Sequence, residues 1–328
     1  MAHGAGGTAS RRLVEGLIGP LLLGPQTFND AAVVQVEATR MAITTDSFVV
    51  RPLTFPGGSI GTLAVYGTVN DLAVSGALPV ALVVSLVIEA GLERSVLEDE
   101  LRAMAASARL VGVPLVGGDT KVVEHGKADG LYVTTTGIGR LDNRLMCDAS
   151  RVRPGDRVLL TGCLGDHGIT VLLARGDLDL EAEVLSDSRS VLPFTDALAR
   201  TAGHGVRWMR DPTRGGAASA LNELARDTGF CIQLQEGAIP VRNEVRGACE
   251  LLGLDPLHIA NEGQVIAIVA PDTARAALEA LRGVPGGEHA SIIGDVQEAP
   301  ARTVLATSPY GGTRVVDMLT GDPLPRIC

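Results

Sequence analysis

The sequence predicts an α/β (α+β) protein of two domains, with mixed sheets covered by helices. Three observations carry that expectation. Strand-like apolar runs alternate with helix-like stripes along the chain. The length of 328 residues suits two domains of ordinary size. A polar segment containing Pro and Gly, 142–156, interrupts the alternation near the middle. The expected units are 1–150, 151–316 and a flexible tail over 317–328.

The elements follow in order. An amphipathic first helix accounts for Ser10-Arg11-Arg12-Leu13-Val14, which superficially mimics a twin-arginine export signal. Glu15, Gly16, Gly19 and Pro20 interrupt the apolar region that such a signal needs. Strands are expected at 41–45 and 80–88, with a helix between them over 60–75, capped by Ser59 and stopped by Gly76. Residues 72–90 are mostly apolar, but Gly76 and Pro79 split them and Glu89 closes them. A helix end followed by a buried strand fits better than a membrane span. A second helix over 95–111 aligns Leu97, Leu101, Met104, Ala105 and Ala108 on one stripe. Strands follow at 113–116 and 131–138. In the second half, strands are expected near 157–161, 231–234, 264–270 and 291–294, and helices near 191–201, 215–227, 243–252 and 273–281.

Composition narrows the function. Hydrophobic residues make up 46 %, but Phe, Trp and Tyr together only 3 %, so the cores are aliphatic and no stacking platform for single-stranded nucleic acid exists. A net charge of −10 disfavours phosphate backbones and acidic membranes. Nucleotide binding stays open if a divalent cation bridges the two negative partners. Five cysteines without a Cys-x-x-Cys pair suggest neither a disulfide framework nor a closed zinc site, and point to a cytoplasmic protein with reduced thiols.

The chain ends in Pro325-Arg326-Ile327-Cys328. The tail carries two prolines and no periodicity. Extended, it reaches ~36–43 Å, against a radius of gyration near ~20 Å for a compact body of this length. A terminal thiol can therefore cross its own domain. Neither a Walker A loop nor a Rossmann fingerprint is present. Gly57-Gly58-Ser59-Ile60-Gly61 matches the hydrolase elbow pattern, but Pro52 and Pro56 sit where the elbow needs a strand, so a helix-capping loop is expected.

Acids recur at element ends: Asn29-Asp30, Thr45-Asp46, Asn70-Asp71, Gly118-Asp119-Thr120-Lys121 closing a strand, and Asp211-Pro212-Thr213-Arg214-Gly215-Gly216 opening a helix. Asp before Pro or after Gly is also ordinary turn and cap chemistry. Asp71 has no such reading, because it falls within a largely apolar helix. Together the acids suggest a hard-metal site in which Mg²⁺ holds a polyphosphate. The Gly-Gly pairs allow close approach of backbone amides, and Lys121 and Arg214 add positive charge. Asn261-Glu262-Gly263 reads either as a tight turn or as a carboxylate placed for proton transfer.

In the order Thr45-Asp46-Ser47-Phe48, Phe55-Pro56-Gly57-Gly58, Gly67-Thr68-Val69-Asn70-Asp71-Leu72-Ala73, Gly118-Asp119-Thr120-Lys121, Asp211-Pro212-Thr213-Arg214-Gly215-Gly216, Ala260-Asn261-Glu262-Gly263 and the terminal Pro-Arg-Ile-Cys, the chain resembles the HypE family of carbamoyl dehydratases. These hydrogenase maturation factors belong to the ATP-binding superfamily of aminoimidazole ribonucleotide synthetase, thiamine-monophosphate kinase and selenophosphate synthetase. The resemblance spans nearly the whole chain from Leu13. It implies the two-domain fold of that superfamily, a homodimer formed through the first domain's sheet, and ATP with Mg²⁺ as cofactors. It implies that a carbamoyltransferase, HypF, loads Cys328, that ATP-dependent dehydration gives a thiocyanate, and that cyanide passes to iron on a HypC–HypD scaffold for [NiFe] hydrogenase. Carried onto this chain, Cys328 is the covalent handle, Glu262 the base, Lys121 the stabiliser of developing charge, and Asp46, Asp71 and Asp211 the metal ligands. Asp30, Thr45, Asp46, Asp71, Asp119, Thr120, Lys121, Arg214, Gly215 and Gly216 are the expected cofactor contacts. Asn29 stands where relatives often carry a second acid, and Gln264 where a lysine is expected. A sibling small-molecule kinase and a non-catalytic ATP-regulated scaffold are the alternative functions.

Overall fold

The structure is a computed structural model describing residues 8–22, 30–37, 39–176, 182–319, 321, 324, 327 and 328. Asn29, Pro325 and Arg326, quoted above in motifs, lie outside the described residues.

The first half begins with helical segments Thr8–Leu13 (α1) and Gly19–Leu22 (α2), then strands Ala32–Val36 (β1) and Thr39–Phe48 (β2). A small hairpin, Thr54–Phe55 (β3) and Gly58–Ser59 (β4), leads into helix Ile60–Val74 (α3). Ala77–Glu89 (β5), Arg94–Val111 (α4), Leu115–Val123 (β6) and Leu131–Leu141 (β7) follow. Among the described residues these strands make a five-stranded sheet ordered β1-β2-β7-β5-β6, antiparallel except for the β5–β6 pair.

Period-two alternation gives this sheet two unlike faces. Ala42, Thr44 and Phe48 turn inward and are buried, together with Val133, Thr135 and Leu82 on the paired strands. Their sequence neighbours point the other way, and Ile43, Ile138, Val83, Val34 and Val36 leave apolar surface on an open face. Helix α3 covers the inner face and is buried around most of its girth, also touching the second half of the chain.

Gly57–Gly61 is the capping loop that the prolines predict. Ser59 Oγ accepts from the Thr62 amide while Thr62 Oγ1 accepts the Ser59 amide at 2.8 Å, a reciprocal capping box. Gly61 is required by the crossing of α4, where a Cβ would stand 2.3 Å from the Glu100 carbonyl oxygen.

The second half contains Arg157–Leu160 (β8), Asp166–Ala174 (α5), Leu192–Thr201 (α6), Val206–Arg210 (β9) and Gly216–Thr228 (α7). It continues with Cys231–Gln235 (β10), Asn243–Leu252 (α8), Ile266–Val269 (β11), Ala274–Arg282 (α9), Ser291–Gln297 (β12), Thr303–Thr307 (β13) and Thr313–Val315 (β14). Its seven-stranded sheet among the described residues is ordered β14-β13-β10-β12-β8-β11-β9. Val158 and Leu160 pack toward α7, while Leu159 joins α6 and α9 in a separate core. Cover on both faces explains why β8 and β11 read as unbroken apolar runs.

Two expectations need correction. The strand expected at 113–116 runs instead over Leu115–Val123, so Gly118-Asp119-Thr120-Lys121 lies inside a strand rather than closing one. Gly and Asp are depleted in strands, which hid it. Here β6 is an edge strand with mostly exposed residues, and a Cβ at Gly118 would come within 1.9 Å of the Val84 carbonyl oxygen. Strand 264–270 contracts to Ile266–Val269 because Gln264 turns into a side-chain network described below.

Candidate active site

Three carboxylates converge where α3 meets the second half. Ligand atoms of Asp30, Asp71 and Asp211 all lie within 4.8 Å of one another. Asp71 reaches this point from the last turns of α3, where Thr44 Oγ1 of β2 donates to its Oδ2 at 2.7 Å. Asp211 follows β9 directly, and Asp30 precedes β1. Burial pushes Asp211 up to about 8, with the Asp30 charge adding to it. Burial likewise lifts Asp30 to about 6 despite Arg210, whose Nη1 donates to its Oδ1 at 2.6 Å. Asp71 is held well above the usual carboxylate range by burial and then by Asp211, Asp30 and Asp46. Asp46 stands on the rim of this cluster, also raised by burial, 3.5 Å from Arg214 Nη2.

Such a group is self-repulsive as it stands. Hard carboxylate oxygens from separate elements suit Mg²⁺, and a cation there would relieve the repulsion that adds to burial in raising Asp30, Asp71 and Asp211.

The Asp211–Gly216 loop is clamped against the Ala260–Gly263 loop. Asn261 donates its backbone N–H to the Pro212 carbonyl at 3.0 Å and its side-chain amide to the same oxygen at 3.1 Å. Gly216 has φ +62°, and a Cβ there would meet the Leu257 carbonyl oxygen at 2.5 Å, so only glycine fits at the start of α7. Glu262 is buried, and its Oε1 has no hydrogen-bond partner among the described residues. Burial first, then the Asp211 and Asp46 charges, hold its carboxyl well above the usual range. Its backbone is fixed from both sides. Asp187 Oδ1 accepts the Glu262 amide at 2.9 Å, and Asn70 Nδ2 donates to the Glu262 carbonyl at 3.1 Å.

The end of the tail lies at the same place. The Val49 amide, just past β2, donates to Cys328 O at 3.0 Å. Leu324 and Ile327 are buried, at 2 % and 3 % exposure, within the core that also holds Phe48 and Ile259. The negative charge at Cys328 is the largest influence raising the Arg214 guanidinium, ahead of those from Asp46 and Glu262.

A protein-family model described as AIR synthase related protein, N-terminal domain, matches residues 28–141, and its C-terminal-domain counterpart matches 153–306. The chain is 48 % identical over 330 residues to the carbamoyl dehydratase HypE of Azotobacter vinelandii, covering 100 % of this chain and 96 % of that one. This chain belongs to the HypE family. A solved HypE in complex with ATP superimposes with a TM-score of 0.84 at 43 % identity, covering 99 % of this chain and 98 % of that one. A HypE–HypF complex contains a chain matching at a TM-score of 0.87 and 38 % identity, over 94 % of this chain and 99 % of that one. Among the described residues no helix is long and apolar enough to cross a membrane.

Of the residues singled out from sequence, Asp30, Asp46, Asp71, Asp211, Arg214 and Glu262 assemble here, with Cys328 at Arg214 and with Gly215 and Gly216 opening α7. Thr45, Asp119, Thr120 and Lys121 do not join them on this chain. Thr45 turns to the open face of the sheet, bonding Thr136 Oγ1 at 2.8 Å. Asp119 and Lys121 pair with each other at 2.9 Å on β6, at 63 % and 67 % exposure. Three strand spacings separate β6 from β2, roughly 14 Å.

Sequence reasoning missed Asp187, Arg189 and His167, which lie in no recognisable motif. Arg189 donates to the Gly263 carbonyl at 3.0 Å and to Gln264 Oε1 at 3.4 Å. It places a positive charge beside Gln264, where the family pattern leads one to expect a lysine.

Proposed function

We propose that this HypE-family chain is an ATP-dependent carbamoyl dehydratase whose substrate is its own C terminus. The observation that carries this reading is the docking of terminal Cys328, whose carbonyl accepts the Val49 amide just past β2 and whose charge acts on Arg214 at the carboxylate cluster. The overall change is Cys328–S–C(=O)NH₂ plus ATP to Cys328–S–C≡N plus ADP and phosphate. ATP bound with Mg²⁺ supplies the phosphoryl group that makes the carboxamide oxygen a leaving group. Asp30, Asp46, Asp71 and Asp211 would hold the cation, and the Gly215–Gly216 amides with Arg214 would orient the phosphates. Both N–H protons must leave, one as the oxygen is phosphorylated and one as the C–O bond breaks, and Glu262 is the base for them. Mass analysis of the terminal peptide tests the reading: the carbamoylated tail should lose one water on addition of ATP, and a tail whose mass never changes would overturn it.

The HypE–HypF complex of a relative supports HypF as the protein that loads the tail. A HypC–HypD iron scaffold fits as cyanide acceptor, because a thiocyanate on an extended tail needs a thiophilic or metal centre to receive it. A cytoplasmic setting fits a sequence of five cysteines without a Cys-x-x-Cys pair.

The open sheet face supports a homodimer. Its exposed aliphatic side chains include Ile43, Val83 and Ile138, on the face that also presents Lys121 and Asp119. Since Lys121 cannot span the distance to Cys328 on its own chain, it would serve its partner's site. Ile43→Arg is therefore expected to give monomers in sedimentation and to lose dehydration. Mixing Lys121→Ala with Cys328→Ala chains should restore activity in the mixed dimer.

Metal binding has a test independent of turnover. A carboxyl whose folded pKa is raised destabilises the fold as pH rises, because the folded state binds more protons than the unfolded chain. Asp71→Asn should therefore raise the Tm of metal-free protein at pH 8. The same variant should weaken Mg²⁺-dependent nucleotide binding by roughly tenfold or more, the worth of one charged contact of ~1.5–3 kcal/mol. Effects of the same sign on both would argue against a cation at this cluster.

A further inference from the structure

Helix α5 carries a histidine with no place in the chemistry above. The His167 ring is fully buried and edge-on to Phe55, with ring centroids 5.4 Å apart. Its Nε2 lies 2.5 Å from the Ile327 carbonyl oxygen, one residue before Cys328. Its Nδ1 lies 2.8 Å from Ser186 Oγ. The Ile327 carbonyl oxygen can only accept, so in a ring that burial keeps neutral Nε2 carries the proton and the Ser186 O–H donates to Nδ1. The ring thus donates to the tail.

We propose that His167, with its ring held by Ser186, is the positioning residue that seats the C-terminal tail and so places Cys328 in the site. Two neighbours fit the assignment. Beside it on α5, Gly168 leaves room for the tail: a Cβ there would stand 3.1 Å from Leu324 Cδ1. The residue after Ser186 is Asp187, whose carboxylate accepts the Glu262 and Gly263 amides at 2.9 and 3.2 Å. The stretch 186–188 thus anchors the tail and the Glu262 loop together, keeping thiol and base in register. The proposal rests on the tail being the substrate carrier, as set out above, but its test does not.

The test measures alkylation of Cys328 by iodoacetamide in full-length protein without ATP or partner, followed by mass analysis of the terminal peptide. Ser186→Ala removes the O–H that holds Nδ1, so the ring keeps its Nε2 proton but is free to turn away from the Ile327 carbonyl. His167→Phe removes the donor while keeping a buried ring. Both variants are expected to alkylate Cys328 about tenfold faster, the equivalent of one lost hydrogen bond. Cys147, which packs against a different core from the one holding Leu324 and Ile327, should react at its wild-type rate. Single-turnover dehydration should slow, while HypF-dependent carbamoylation holds or rises. An unchanged alkylation rate in Ser186→Ala that unfolds at the wild-type temperature overturns the proposal, even if wild-type protein dehydrates normally. Faster alkylation in a protein that never forms nitrile would keep the latch and defeat the functional reading instead.

Discussion

Cys328→Ala is expected to reduce carbamoyl-dependent ATP turnover to background and to leave no peptide that gains a carbamoyl group. The thiol is the attachment atom, so its loss removes the substrate rather than slowing a step. No other cysteine offers a substitute. Burial pushes Cys147 up to about 12 and Cys249 up to about 11, and also raises Cys163 and Cys231. Thiols held in that range are poor nucleophiles at neutral pH, since the thiolate is the reactive form. The variant keeps its terminal carboxylate, and its buried anchors Leu324 and Ile327 are untouched. Thermal unfolding should therefore match wild type, and nucleotide binding should persist. Nitrile formation by a well-folded Cys328→Ala protein would sink the carrier mechanism.

The sequence made some of this fold readable and hid the rest for physical reasons. Helix Asn243–Leu252 appears at the expected residues because one face is buried and the other polar, the pattern that periodicity detects. Helix Asp166–Ala174 escaped notice because its first residues, including His167, are buried all round and Gly165 at φ +90° offers no side-chain cap. Strand Val206–Arg210 was hidden by arginines at 207 and 210, of which Arg210 serves the acid cluster. The acids themselves were legible one by one, and Asp71 stood out because a carboxylate on an apolar helix has no local purpose. Their convergence was not legible, since it depends on where α3 crosses two sheets. Asn70 shows the limit well. Beside Asp71 in sequence, it instead bridges the Arg189 and Glu262 carbonyls and the Val191 amide, joining segments 119 to 192 residues apart. Asp187 and Ser186 lie in an irregular stretch, where neither periodicity nor spacing carries a signal.

Glu262→Gln should separate catalysis from architecture, because its effects on rate and stability have opposite signs. The substitution keeps the shape of the side chain and leaves the Asp187 and Asn70 contacts, which reach only the backbone, in place. As general base, Glu262 is worth on the order of 10²–10⁴ in rate, so dehydration should fall by that factor. Carbamoyl loading and ATP binding should stay within about threefold of wild type. Stability should move the other way. A carboxyl held well above its unfolded pKa by burial and by the Asp211 and Asp46 charges penalises the folded state once pH climbs above the ordinary carboxylate range. Removing that ionisable group should raise the Tm of metal-free protein at pH 8 and leave it nearly unchanged at pH 4, where wild-type Glu262 is protonated when folded and largely so when unfolded. Neutralising Asp211 and Asp46 with a cation should shrink the gain, because two of the four causes that raise the carboxyl are then removed. A Glu262→Gln protein that dehydrates at the wild-type rate would reduce the residue to a buried turn position. One that loses both rate and stability would mark it as a structural contact instead.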